Sequence, residues 1–446
     1  MCEMASDLNF YVAFWKTIHS FCSHLCYTCL ACFFFTSSLA AAEPSASTEK
    51  YPQAASKKGL QVEIIDDALA LGVKHAALNV NLSQLIDPNI DRADDRPSWQ
   101  TPDRIYYFKR AYLNSLDRNI KALSDQDVIV NLIILVSHTG DASVDRLMIH
   151  PQYDPKAPNR LGAFNAETVE GQQWLSATME FLANRWSRPD QQFGRVAGYI
   201  LGNEVNSHWW WSNMGHVTMQ EFANNYLAAT RLAHAAIRRH NAWARVYISL
   251  EHHWNIYFPS GAASQAFAGK PFLDYFAQQA RAGGDFDWHV AFHPYPENLF
   301  EPRFWNDKTA LPKADTPRIT FKNLEVLTSY LRRAELRYAQ QPRRVILSEQ
   351  GFHTPDGDDG ERVQAAAYCY AYKKVEALPG IDAFILHRHV DHPHEGGLRL
   401  GLRRFQPSEK DPRPPKLIYN CFRVADTPDW EAAFEFALPI VGRDDW

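Results

Sequence analysis

The sequence predicts a (β/α)8 barrel, and three observations carry that fold class. Eight strand-like segments alternate with helix-period segments from residue 57 onward. The strands are continuously apolar, as in a parallel sheet buried on both faces, rather than alternating. Ionisable side chains gather at the C-terminal ends of these strands, where such barrels carry their chemistry. A doubly wound sheet would have fewer strands and a Gly-rich phosphate turn, which this chain lacks.

The elements follow in order. "KKGLQVEI" (57–64) is a short first strand leading into a helix around "IIDDALALG", and "VKHAALNVNL" (73–82) is the second strand. An amphipathic helix over 108–124 precedes "VIVNLIILVSH" (128–138), a strand by its length and β-branched content. A helix over 168–187 leads to the fourth strand, "VAGYILGNE", and one over 218–240 to the fifth, "RVYISLEHHW". Helices near 264–282 and 320–339 precede "FDWHVAFHPY" and "RRVILSEQGF", the sixth and seventh. "ERVQAAAYCYAYKKVEAL" precedes "IDAFILHRH", the eighth, and a helix near 415–426 completes the eight units. The segments 83–107, 139–167 and 296–318 are polar insertions after strands two, three and six, expected to wall the face at the strand ends.

Composition bounds the partners. The 446 residues are 46% hydrophobic with a formal net charge of −5, which gives no attraction to nucleic acid or anionic lipid. Aromatic residues reach 13%, and flat rings with polar edges suit sugars as well as cores. Lys16 and the apolar stretch after it, ending in small residues near Ala40–Ala42, read as a signal peptide over 1–42, followed by a linker over 43–56 and a barrel domain over 57–446. Cleaved, this signal peptide would place the mature protein outside the cytoplasm, secreted or periplasmic, with no lasting membrane insertion; a signal anchor is the main rival reading. Five of the seven cysteines fall in the leader. Cys369 and Cys421 remain, as one bridge or two buried thiols, with no zinc-ligand spacing. Neither cofactor nor metal is expected, and the sequence is silent on oligomeric state.

The polar strand ends are Asn79 and Asn81 on strand two, His138 on three, and Asn203 and Glu204 on four. They continue with Glu251, His252 and His253 on five, His293 and Tyr295 on six, Glu349 on seven, and His387 and His389 on eight. Strand beginnings such as "GRVAG" and "RRVIL" predict that the opposite end of the barrel is not ionisable. Glu204 and Glu349 end strands that lie across the barrel from one another. Two carboxyl groups facing one point are what glycosidic bond cleavage needs, and their separation sets the stereochemistry. Trp209 to Trp211 lie beside Glu204, with Trp209 and Trp210 as candidates for a sugar-stacking floor.

"GNE" (202–204), "HPY" (293–295) and "SEQGF" (348–352), each after its expected strand, resemble the large clan of retaining (β/α)8 glycoside hydrolases. The "QAAAYCYAYKK" and "PPKLIY" stretches are similar to clan members too, and the likeness covers most of 57–426. As a whole the chain resembles secreted bacterial barrels grouped as a domain of unknown function. The resemblance implies Glu204 as acid/base, Asn203 on the sugar 2-hydroxyl, Glu349 as nucleophile and Tyr295 as its hydrogen-bond donor. It implies a carbohydrate substrate and no cofactor. The clan often places an Arg on strand two and a Trp after strand eight. This chain has Asn79 and "HRHVDHPHEGG" there, so its sugar subsite is built differently.

Two rival readings stand beside this one. His387, His389, Asp391, His392, His394 and Glu395, with His252 and His253, could hold a metal as in barrel amidohydrolases. Those enzymes use a His-x-His on the first strand, which here reads "KKGLQVEI". A barrel that binds glycan without cutting it is the second rival. The bland reading has these imidazoles hydrogen-bonding sugar hydroxyls or the loop itself, with His293 a structural neighbour of the site and His138 a candidate contact to substrate.

Overall fold

A computed structural model describes residues 50–89, 95–405 and 413–446, so the leader predicted over 1–42 lies outside the described residues. Eight parallel strands close into a barrel. They are β1 (Lys58–Gln61), β2 (His75–Asn81), β3 (Ile129–Leu135), β4 (Gly198–Leu201), β5 (Arg245–Glu251), β6 (Trp288–His293), β7 (Val345–Leu347) and β8 (Ile381–Leu386). Each pairs with its neighbours in chain order, and β1 closes on β8 with Lys58 opposite Phe384. The predicted (β/α)8 fold is the observed one.

The helical layer is α1 (Ile65–Ala70), α2 (Arg110–Ser124), α3 (Val169–Arg185), α4 (Met219–His240), α5 (Gly269–Ala282), α6 (Glu325–Tyr330), α7 (Gly360–Ala377) and α8 (Leu417–Val424). The longest, α4, starts with a reciprocal cap in which Thr218 and Glu221 satisfy each other's backbone N–H. The helix expected over 320–339 is broken: a 3-10 turn, the short α6 and a second 3-10 turn follow one another, with Arg333 extended between them.

One insertion differs from expectation. Within 83–107, Ile86–Asp87 and Ser98–Gln100 pair with Ile105–Phe108 in a three-stranded antiparallel sheet. Phe108 stacks on Phe181, Tyr106 meets Trp174 edge-on, and Trp99 Nε1 donates to Glu180. All three partners lie on α3, so this piece thickens the helical layer instead of walling the barrel mouth. At the other extremity, Trp430 and Phe434 pack on Tyr372 and Tyr368 of α7. Cys369 and Cys421 are buried free thiols.

The barrel interior is layered. Ala77, Ile133, Ile200, Tyr247, Ala291, Ile346, Ala383 and Ile385 form an apolar cluster of their own. Inward-facing positions recur every second residue. Two residues further along the strands come Asn79, Leu135, Ser249, His293, Ser348 and His387, the layer on which the site is built. Two residues back come His75, Asn131, Arg245, His289 and Arg344. The expectation of a non-ionisable base is therefore wrong: the strand beginnings contribute cations that Asp382 on β8 neutralises, 2.7 Å from Arg245 and bonded to Arg344. Tyr51 closes this end. Its ring lies 3.6 Å from the Arg245 guanidinium and its hydroxyl 3.2 Å from that of Tyr247. The described part of the predicted linker, 50–56, is thus seated on the barrel. No helix among the described residues is long and apolar enough to cross a membrane.

Because Tyr51 covers buried charge with a half-buried ring, Tyr51→Ala is expected to cost about 2 kcal/mol of stability in urea unfolding. The pH dependence of activity, set at the opposite end of the barrel, is expected to stay unchanged.

Candidate active site

β4 ends in Gly202, Asn203 and Glu204, and Glu204 sits in the left-handed region at φ 41°, ψ 50°. A non-glycine residue held there costs on the order of 1–3 kcal/mol and persists because its surroundings impose it. The surroundings are specific. The Glu204 N–H donates to Ser249 Oγ (2.9 Å), and the carbonyl of Glu204 accepts from Ser207 N–H (2.8 Å). Beneath the turn lies Glu251, the last residue of β5 and 2% exposed. It accepts from Asn206 Nδ2 (2.5 Å), Ser207 Oγ (3.0 Å) and both the backbone N–H (2.8 Å) and Nδ1 (2.6 Å) of His253. Its own N–H donates to Asn206 Oδ1 (3.0 Å). Glu251 is therefore the buried anchor of the strand-four turn.

Across the mouth, Glu349 follows β7. Its Oε2 accepts from Gln61 Nε2 (3.1 Å) and its Oε1 from the Tyr295 hydroxyl (3.3 Å). His293, on β6, lies between the two glutamates: Nδ1 is 2.9 Å from Glu204 Oε1, and Nε2 is 2.9 Å from Ser348 Oγ. A carboxylate oxygen of Glu204, one of Glu349 and a nitrogen of His293 all fall within 4.8 Å of one another.

Their environments push the two carboxyls apart. Burial raises Glu204; the His293 hydrogen bond and charge oppose this, while Glu349 and Glu251 add to it, and the net shift is upward. Burial also pushes Glu349 up, but His387, His293 and the hydrogen bonds from Gln61 and Tyr295 outweigh it and hold that group below its usual range. One carboxyl favours its proton and the other its charge.

Of the residues expected at the site, Glu204, Glu349, His293, Tyr295 and His387 come together with Asn203 beside them. Among the described residues, the side chains of Asn203 and the exposed Asn79 form no hydrogen bond and stay available to a ligand. Three expectations need correction. His389 is fully buried, with Nε2 2.7 Å from Asp67 and Nδ1 accepting from the Glu63 and Ile64 N–H groups, so it fastens the first loop. Trp209 is buried against His216, because the helical turn His208–Trp211 points it inward. His138 is drawn aside by Asp145 (2.8 Å) and stacks on Tyr153 within the strand-three loop. Trp210 is partly exposed and leans on Phe258, an aromatic pair beside the mouth. Gln61, Ser249 and Ser348 went unnoticed in the sequence; all three sit on the inward register of their strands, a signal that stepping by two from the apolar layer would have found.

The strand-eight group weighed as a metal site is dispersed. His387 engages Gln61 and Glu395, Asp391 pairs with Lys416 (2.7 Å), and His392 and His394 face each other on an exposed loop. Compact donor sets among the described residues are Glu204–His293–Glu349 and Glu251–His252–His253. Both are knitted by internal hydrogen bonds, and in the second His253 Nδ1 lies 2.6 Å from Glu251 Oε2.

A closed parallel barrel with opposed carboxyls across its C-terminal mouth is the class that fold and site define. The chain belongs to a family of unknown function (DUF5722), whose model matches residues 50–446. No curated protein matches the sequence. Solved structures sharing the fold include a family 39 glycoside hydrolase from Bacteroides cellulosilyticus WH2, at 13% identity and TM-score 0.51, covering 81% of this chain and 59% of that one. A β-glucosidase from Pyrococcus furiosus has 15% identity and TM-score 0.50, covering 84% and 86%. A family 1 β-glucosidase from Thermotoga maritima has 14% identity and TM-score 0.50, covering 80% and 84%. At these identities the likeness is one of fold.

Removing the anchor leaves Asn206, Ser207 and His253 donors unsatisfied, so Glu251→Ala is expected to lose about 3 kcal/mol at neutral pH. Burial would raise the Glu251 carboxyl, but His253 and His252 outweigh it and hold it at about 2. That lies below the unfolded value of about 4.3. The contribution is therefore complete above about pH 5 and fades as pH falls towards 2. Urea titrations of both proteins across that window are expected to converge at the acid end.

Proposed function

We propose that the protein is a retaining β-glycosidase acting on an oligo- or polysaccharide. Glu349 attacks the anomeric carbon while Glu204 protonates the departing glycosidic oxygen; Glu204 then takes a proton from the water that releases the sugar. The observation that carries this reading is the opposed electrostatics of two carboxyls whose oxygens lie within 4.8 Å. Retaining enzymes hold their carboxyls at about 5–5.5 Å, whereas inverting ones leave about 6.5–9.5 Å for a water. An acid that keeps its proton beside a nucleophile that has lost one is the division of labour double displacement needs.

The surroundings support the same roles. Tyr295 and Gln61 orient Glu349; we assign the free amide of Asn203, next to Glu204, to a sugar 2-hydroxyl, and the ring face of Trp210 with Phe258 to a further sugar. The neighbours named β-glucosidases and a family 39 glycoside hydrolase use this barrel for glycosides. A leader over 1–42, read from composition, would deliver the enzyme outside the cytoplasm to such polymers.

The test separates the two glutamates. Glu204→Ala is expected to lose about 10²–10⁴-fold on a natural glycoside, but no more than about tenfold on an aryl glycoside whose leaving group needs no proton, with partial rescue by azide. Glu349→Ala is expected to lose activity on both, since no covalent intermediate can form. The wild-type rate is expected to be bell-shaped in pH, its acid limb reporting Glu349 and its alkaline limb Glu204. Proton NMR of the first product is expected to show the β-anomer; an initial α-anomer would sink retention.

A further inference from the structure

A chain of hydrogen bonds runs outward from Glu349 on the side away from Glu204. Gln61 Nε2 donates to Glu349 Oε2 (3.1 Å) and to the Ser348 carbonyl (3.2 Å). Both are acceptors, which fixes the amide: Gln61 Oε1 must be the atom facing His387 Nδ1 at 2.7 Å. His387 therefore donates from Nδ1. Its Nε2 lies 2.7 Å from Glu395 Oε1, on the loop after β8. An imidazole with an acceptor at each nitrogen satisfies both by carrying two protons. Glu395 has the matching need. Its Oε2 is buried without a hydrogen-bond partner among the described residues, and a carboxylate so placed is costly unless a cation stands beside it.

We propose that Glu395 is a positioning residue for Glu349: it keeps His387 as the imidazolium, and Gln61 fixes that charge beside the nucleophile. The inference rests on the reading of Glu349 as nucleophile. His387 is the first of the groups that offset burial at Glu349. The other groups facing Glu349 are His293 on β6, Tyr295 on the following loop and Glu204 on the strand-four turn. None of them touches Glu395 by a hydrogen bond. Arg388 Nη1 lies 3.6 Å from Glu395 Oε1, but its Nη2 is 3.0 Å from Glu63, so its charge is shared away from His387. The rival reading of the sequence counted Glu395 among potential metal ligands; its partner here is the His387 ring.

Glu395→Gln tests this with little change of shape. The amide can still meet His387 Nε2, but as a donor to a neutral ring, so the positive charge beside Glu349 goes. The direct readout needs no substrate: the carbon-13 titration of the Glu349 side-chain carboxyl, assigned by its loss in Glu349→Gln. Its midpoint is expected to rise by about one pH unit in Glu395→Gln, and in the same direction in His387→Gln. On an aryl β-glycoside the acid limb of kcat/KM is expected to move up by the same amount, about tenfold less activity on that limb, with the alkaline limb in place. An unmoved alkaline limb and Glu204 titration show the site is intact. If Glu395→Gln leaves the Glu349 midpoint where it was, the proposal is overturned, whatever His387→Gln does. If the midpoint rises but the wild type cleaves no glycoside, the relay stands and the glycosidase reading falls.

Discussion

A carboxylate at the end of β5 holds another carboxylate in a backbone conformation it would not choose. Glu251 gathers Asn206, Ser207 and His253 onto its two oxygens, and the turn so gathered is the one that begins at Glu204 in the left-handed region. Relaxed into an extended conformation, the turn after β4 would lose the hydrogen bonds that Ser249 and Ser207 make to the Glu204 backbone. Held left-handed, Glu204 brings its carboxyl to 2.9 Å from His293. The strain at Glu204 and the heavy satisfaction of Glu251 are two ends of one constraint, and the opposing position of Glu349 gains its meaning from it.

The two glutamates then differ by their neighbours rather than by depth. Both are surrounded by protein, and burial pushes both towards the neutral form. Glu349 receives donors from β1, from the loop after β6 and the field of an imidazole on β8. Glu204 receives one imidazole that it shares with Ser348, and feels the anions of Glu349 and Glu251. The asymmetry thus originates in which strands end in donors. β1 and the loop after β6 supply them to Glu349; the end of β5, beside Glu204, supplies a second acid.

Much of this was legible in the chain. Continuous apolar strands ending in "GNE" and "SEQGF" gave the barrel and located both glutamates, because a strand's end is marked by the residue that cannot continue it. What the sequence concealed were the roles that depend on register and on rotamer. Gln61 looks like an unremarkable polar residue in "KKGLQVEI" until the two-residue period aligns it with His387. His389 and His387 differ by two positions and look interchangeable, but a turn after β8 sends one ring beneath the first loop and keeps the other at the mouth. The ionisable base was misjudged for a similar reason: Arg245 and Arg344 read as ordinary strand flanks, and their shared partner Asp382 lies far away in sequence.

The seating of Tyr51 also bears on where this domain begins. Repeating patterns in the chain suggest a boundary at residue 57, just ahead of β1, but the ring that covers the Arg245 guanidinium comes earlier. Lys57, at that very edge, ties its ammonium to the carbonyls of Val375, Glu376 and Leu378 at the end of α7. A recombinant version trimmed to the first strand would thus expose a paired guanidinium cluster to solvent and leave the strand that seals the cylinder with a frayed leading end. The practical border of the folding unit lies no later than Tyr51, within what a composition plot would dismiss as spacer.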